Sequence, residues 1–282
     1  MMQVLILSVV LAVARARVIE DCSGVVVHNT KHEAQVLKTG IDSPYQLALD
    51  YDTNYLFFSY SSPEDMDDGF KSAYINLKTN EFGVIHGISG GFANAVDRKN
   101  HIVYLGGNDG IYKFDFGTKN ATFEGARDVS IWQLFFKDKL YFTNYPDEHV
   151  FTYEQGEPKL LPALKNTKTM LFALDSNDNI VVSNSSGIFY YVKDLSKSYH
   201  LGDYVANGIT TDINKKVYFS TPDSLFFIDE SGPSVVKLAD IDDSIYGLVV
   251  DTDNSFIYAD GNSIIRLKPT KTRCYSDNEI KD

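Results

Sequence analysis

Residues 45–59 read YQLALDYDTNYLFFS: an apolar run, a polar turn opened by Asp50, and a second run of aromatic and aliphatic side chains. The pattern returns five times, as FANAVDRKNHIVYLG from Phe92, WQLFFKDKLYFTN from Trp132, MLFALDSNDNIVVSN from Met170, NGITTDINKKVYFST from Asn207 and YGLVVDTDNSFIYAD from Tyr246. The starts lie 47, 40, 38, 37 and 39 residues apart, the period of a four-stranded propeller blade. A third run follows in every repeat, from Ala73, Ile111, Val150, Ile188, Leu225 and Ile264, and a fourth is legible from Phe82, Pro158 and Ser234. The first runs are nearly continuous in apolar residues, as strands buried on both faces between packed blades must be. The sequence therefore predicts an all-β fold, a six-bladed β-propeller with four-stranded blades. The sixth repeat ends near Lys268 without a fourth strand, and EAQVLKTGI from Glu33 supplies the missing pattern. The ring is predicted to be closed by this N-terminal strand.

Working outward, the chain has 282 residues with 18 Tyr, 18 Phe and one Trp, an aromatic usage suited to half-buried pleated surfaces. Its net charge of −12 leaves no global counter-charge for a polyanion, so neither nucleic acid nor membrane is expected as a partner. The opening segment has an apolar stretch from Val4 to Val13 and then Ala14-Arg15-Ala16, which reads as a signal peptide over 1–16. Residues 17–282 are then expected to form a single six-bladed propeller domain, secreted and extracellular. The two cysteines, Cys22 and Cys274, stand at the ends of the mature chain, and in an oxidising compartment this placement predicts a disulfide joining them. Asn120-Ala121-Thr122 and Asn184-Ser185-Ser186 make Asn120 and Asn184 glycosylation candidates.

The recurring Asp50, Asp97, Asp175, Asp212 and Asp251 each open the turn between first and second runs, where an Asx side chain caps backbone N–H groups. Lys137 takes this place in the third repeat, as a turn position tolerates. These residues are read as structural.

In an up-and-down blade, the start of the inner strand and the loop between second and third strands share one face. The six inner strands open there with Tyr45, Phe92, Trp132, Met170, Asn207 and Tyr246, accompanied by Gln46, Asn94 and Gln133. These nine residues are the candidate ligand site: rings to stack on a flat aromatic ligand and amides to orient it. The same rings could instead plug the channel or pack between blades. The longer first spacing falls in SYSSPEDMDDGFKS, residues 59–72, on this face, with Tyr60, Met66 and Phe70 as a possible lid. Its acidic residues Glu64, Asp65, Asp67 and Asp68 lack the ligand order of an EF-hand and read as solvated.

Catalytic patterns do not survive inspection. Gly87-Ile88-Ser89-Gly90-Gly91 matches G-x-S-x-G but leads into a strand where a nucleophile elbow needs a helix. His28 and His32 are spaced i, i+4 without the Glu of a zinc helix. No catalytic or metal-binding residue and no enzymatic activity are expected.

The segments VIEDCSGVVVHNTKHE and GIDSPYQLALDYDTN, with the signal peptide, size and terminal cysteines, resemble the insect ommochrome-binding proteins of moth haemolymph along the whole chain. That resemblance implies a secreted carrier transporting an ommochrome pigment, a tryptophan-derived phenoxazinone, or its precursor. The bound pigment would be a ligand, with no other cofactor. Two alternatives stay open. One is a calcium-dependent lactonase or esterase-like propeller, which would need converging oxygen ligands such as Asn94 and Asn207. The other is a non-catalytic, protein-binding propeller.

Overall fold

The structure, a computed structural model, describes residues 22–62, 69–193 and 197–274. Six antiparallel sheets follow one another around a ring. Their inner strands are Tyr45–Asp50, Ala93–Asp97, Ile131–Lys137, Leu171–Leu174, Gly208–Thr211 and Gly247–Val250, and each touches the next, the sixth returning to the first. The six-bladed propeller expected from the repeats is what the chain forms. The predicted fourth strands occur at Phe82–Val84, Glu157–Leu160 and Ser234–Asp240, and two more complete blades 2 and 4 at Ala121–Gly125 and Ser198–Gly202. These two had escaped the repeat reading because neither carries an apolar run.

The ring closes as the sequence implied. Thr30–Thr39 pairs antiparallel with Ser263–Arg273, with Glu33 opposite Lys268 and Ala34 opposite Leu267. The short strand Val26–Val27 then adds a fifth member to blade 6. Cys22 and Cys274 are disulfide-bonded with Cα atoms 5.8 Å apart. Restricting so long a loop in the unfolded chain is worth about 5 kcal/mol in the chain-entropy account. The expected signal peptide at 1–16 lies outside the described residues. Among those residues no helix is long and apolar enough to cross a membrane.

The core lies between blades. Phe57, Phe58, Phe142 and Phe219 on second strands, with Phe172 on an inner strand, are wholly buried. Each such side chain contributes about 1.5–3 kcal/mol of hydrophobic stabilisation. The inner turns behave as read: Asp50 accepts from the Asp52 amide, Asp97 from Asn100, Asp175 from Asn177 and Asn179, and Asp212 from Asn214 and Lys216. Every turn also contains one left-handed residue: Asn54, His101, Asp138, Asp178, Lys215 and Asn254. Lys137, the exception among the aspartates, sends its Nζ to the next blade, donating to Asp175 O at 2.5 Å and pairing with Asp178 at 2.5 Å.

Candidate functional site

The inner strands all run from one end of the central channel to the other, so side chains at equal depth along them form layers. At the end where the strands begin, four of the predicted rings meet. Tyr246 lies 5.2 Å from Tyr45, Tyr45 lies 5.8 Å from Phe92, and Phe92 lies 4.7 Å from Trp132, centroid to centroid. Tyr145 extends this arc beyond Trp132 at 5.6 Å. Phe70, from the long insertion, packs on Tyr45 and Phe92 at 5.9 and 4.7 Å. Phe92 is only 7% exposed, while Tyr45, Trp132 and Tyr246 are half-buried. Met170 is exposed and Asn207 half-buried, and neither belongs to the arc. Met66 and the acidic residues 64, 65, 67 and 68 lie outside the described residues.

One step deeper, the predicted amides stitch blades together. Asn94 Nδ2 donates to Gln46 O at 2.9 Å, joining blade 2 to blade 1. Gln133 both donates to Phe172 O at 3.0 Å and accepts from the Phe172 amide at 2.8 Å, joining blade 3 to blade 4. Asn207 Nδ2 donates to Ile245 O at 2.7 Å, joining blade 5 to blade 6. The Gln46 carbonyl is presented by an irregularity: pairing slips between Tyr45 and Ala48, and Gln46 has a left-handed φ of 50°. Asn94 is 5% exposed, and its Oδ1 has no hydrogen-bond partner among the described residues.

Beyond the amides the channel widens into a cavity of about 340 Å³. Gln46, Asn94 and Gln133 line its inner end, and Ala48, Ala95, Leu134, Ile209 and Val249 form an apolar waist. Its outer end is made by the turns: Tyr51, Arg98, Lys99, Lys137, Asp138, Asp212 and Lys215. Lys99 and Asp138 are exposed, so the cavity opens to solvent on the turn face, opposite the aromatic arc. The arc and the cavity therefore occupy successive depths of one channel. Sequence reasoning followed only the face where the strands begin and missed this collar. The signal was present, because the same repeat register that aligns the rings also aligns the turns.

The collar is mostly cross-braced. Arg98 pairs with Asp52 at 2.9 Å and lies over the Tyr51 ring at 4.9 Å, and Tyr51 OH donates to Val250 O at 2.8 Å. Burial, followed by the Asp212 and Asp251 charges, pushes the Tyr51 phenol well above its ordinary range. Burial, with the Lys137 and Arg98 charges after it, lowers the Lys215 ammonium, and Asp138 and Asp212 offset this in part.

Ser89 lies in the connection from Phe82–Val84 to Ala93–Asp97, with no helix after it. His32 is buried in a strand with Nδ1 on Thr30 O at 2.9 Å, and His28 lies in the turn before that strand. Asn120 is exposed at the start of an outer strand, whereas the Asn184 side chain donates to Lys168 O and accepts from Ser186 N. Among the described residues no group of three or more His, Cys, Asp or Glu side chains is placed to hold a metal ion.

Fold and channel together define the class: a six-bladed β-propeller with a ligand-sized cavity on its axis. Solved structures agree with the architecture. A gluconolactonase from Xanthomonas campestris superposes with a TM-score of 0.68 at 12% identity, covering 89% of this chain and 96% of that one. The calcium-binding protein regucalcin of Agrobacterium tumefaciens gives 0.63 at 10% identity, covering 88% and 98%. At such identities the likeness is one of fold, not of function. No protein-family profile matches the chain. The sequence is, however, 38% identical to the ommochrome-binding protein of Manduca sexta over 278 residues, 97% of this chain and 100% of that protein, and the chain belongs to that family.

Proposed function

We propose that this protein is a secreted haemolymph carrier that binds an ommochrome pigment, or its tryptophan-derived precursor, non-covalently and performs no chemistry on it. The observation that carries this reading is the full-length 38% identity to a protein named for that ligand. The cavity is compatible with it: its volume falls within the roughly 300–1,000 Å³ of small-molecule sites. Tyr51, Phe135 and Phe136 contribute rings to its lining, and Gln46, Asn94 and Gln133 stand at its inner end.

Two stretches of the channel compete for the ring system. In the first, the ligand stacks on the outward faces of Tyr45, Trp132 and Tyr246, with Phe92, Met170 and Asn207 around it. In the second, it enters from the turn face and rests in the cavity. The second is favoured because the rings of the arc already contact one another, whereas the cavity walls face open space.

The test uses the single tryptophan. Pigment titrated into stripped protein should quench Trp132 emission saturably, and native protein should carry a visible absorption band. A colourless protein without saturable quenching would overturn the carrier reading. Tyr45→Ala with Trp132→Ala, read by pigment absorbance, separates the two stretches: a large loss of affinity places the ligand on the arc, and an unchanged affinity in the cavity.

The lactonase-like fold gives the hydrolase alternative its footing. Against it, Asn94 lines the cavity and Asn207 does not, so the two oxygen ligands it would recruit do not share that lining. Stoichiometric calcium binding with chelator-sensitive lactone turnover would establish it.

A further inference from the structure

Six turns close the inner hairpins, and each has one residue in the left-handed region. Five are of the types that tolerate this conformation best: Asn54, His101, Asp138, Asp178 and Asn254. Their short polar side chains can hydrogen-bond locally and so offset the steric cost. The sixth is Lys215, with φ of 69°. A lysine gains nothing from its own backbone there, so blade 5 holds a strained residue where its sister blades use a relaxed one. Among the six inner turns Lys215 is the exception in residue type.

The Lys215 side chain lies in the wall of the axial cavity. Its ammonium has no hydrogen bond or ion pair among the described residues, in contrast to the other partly buried cations around it. Arg98 is held by Asp52, and Lys137, with a side chain only 10% exposed, by Asp178 and two carbonyls. The nearby carboxylates are committed or outward: Asp97 accepts from Asn100, Asp212 accepts from two turn amides and Tyr218, and Asp138 is exposed. The lowered pKa of Lys215 has the same origin, desolvation reinforced by Lys137 and Arg98. A charge removed from water without a partner is costly. In a chain of net charge −12, an unmatched cation facing a cavity is a local reversal of sign.

We propose that Lys215 is an anion anchor: it receives the carboxylate of a flat aromatic acid whose ring system fills the apolar waist of the cavity. The acid group would sit at the turn-face mouth, between Lys215 and the exposed Lys99, with the rings directed inward toward Gln133 and Asn94. For the pigment, this names the ligand class as an aromatic acid bound carboxylate-outward, and to that extent it rests on the carrier reading. The anion site itself is testable apart from it.

The test pairs each acid with a neutral analogue of nearly the same shape. The first pair is 2-naphthoate and 2-naphthamide; the second is 2-aminophenoxazin-3-one and its dicarboxylic acid. Each is titrated by calorimetry into the full chain and into Lys215→Asn, the residue blades 1 and 6 use at this turn position. That substitution removes the charge while relieving the left-handed strain, so its Tm should be unchanged or higher. In the native protein the acids should bind at least ten-fold tighter than their neutral partners, as a charge-assisted hydrogen bond provides. Lys215→Asn should bring that ratio close to one, and Lys215→Arg should keep most of it. Equal affinities within both pairs, or a preference that survives Lys215→Asn, would overturn the anchor. Failure of the phenoxazinones alone, with the naphthoate preference intact and Lys215-dependent, would sink the pigment reading and leave the anchor standing. Tight phenoxazinone binding without acid preference would do the reverse.

Discussion

Where the inner strands begin, Tyr246, Tyr45, Phe92 and Trp132 find their partners in one another. Where the same strands turn, the polar side chains are paired by Asp52, Asp178 or backbone carbonyls, and the Lys215 ammonium has no hydrogen bond or ion pair among the described residues. Both ends arise from one repeat, read at its first residue and at its turn. The difference separates two kinds of information a side chain can carry. A group satisfied by its own chain reports on folding, whereas a buried polar group that the chain leaves unsatisfied requires an explanation from outside it. On this view the contacts within the arc report on folding, and the collar is where the proposed ligand would be met.

The largest effect should come from breaking the arc. Phe92→Ala removes a ring that is 7% exposed and touches Tyr45, Phe70 and Trp132. Its loss should cost about 3–5 kcal/mol, measured by urea unfolding. A loss below about 1 kcal/mol would be too small for a buried core ring and would return the arc to the list of ligand surfaces.

The amide layer comes next. Gln133 is 3% exposed and satisfies both backbone groups of the wholly buried Phe172. Gln133→Ala strands an N–H and a C=O and should cost about 2–4 kcal/mol. Asn94→Ala strands only the Gln46 carbonyl and should cost less. Reversal of that order in the same unfolding assay would show that the Asn94 amide does more than tie blades 1 and 2.

How much of this was legible beforehand follows from what each feature depends on. The ring of blades was legible because the period of apolar runs is a local property, and Glu33–Ile41 could be assigned to blade 6 because that blade alone lacked a strand. The outer strands Ala121–Gly125 and Ser198–Gly202 were not, since their side chains are largely exposed and carry no apolar signature. Tyr45, Phe92, Trp132 and Tyr246 were correctly brought to one end of the channel. Whether their faces were free or occupied depends on centroid separations of 4.7–5.8 Å, which spacing along a chain does not encode. Lys215 was hidden for a different reason. Its distinction is the absence of a partner, and an absence becomes visible only when every neighbour has been placed.

At the turn end, Tyr51 ties blade 1 to blade 6 through Val250 O. Its phenol is raised above the ordinary value of 10.0, mainly by burial. The sign is therefore that of a group kept neutral by folding. Its contribution is fully present below about pH 10 and is lost as pH rises further, because the unfolded chain can ionise the phenol while the folded chain resists. Tyr190, Tyr218 and Tyr258 are shifted the same way, also led by burial. Stability should accordingly fall above pH 10. Tyr51→Phe should cost about 1 kcal/mol at neutral pH and flatten the alkaline decline. An unchanged alkaline slope in the variant would mean that Tyr51 titrates normally.

The smallest expected change in stability is the one that sharpens the comparison most. Lys215→Asn should leave unfolding free energy unchanged or raise it by about 0.5 kcal/mol, since Asn tolerates the left-handed region better than Lys. Asn254→Lys, the reverse exchange at the corresponding turn of blade 6, should lower stability by a similar amount. The two substitutions carry opposite charge changes as well as opposite strain, so the net −12 chain gives a further check. If bulk electrostatics governed the outcome, adding a cation at 254 would stabilise and removing one at 215 would destabilise. Strain predicts the opposite signs. A Lys215→Asn variant that unfolds more easily, with Asn254→Lys not stabilised, would mean that the ammonium is satisfied within the folded chain after all. The contrast between the two ends of the channel would then collapse into a single packing story.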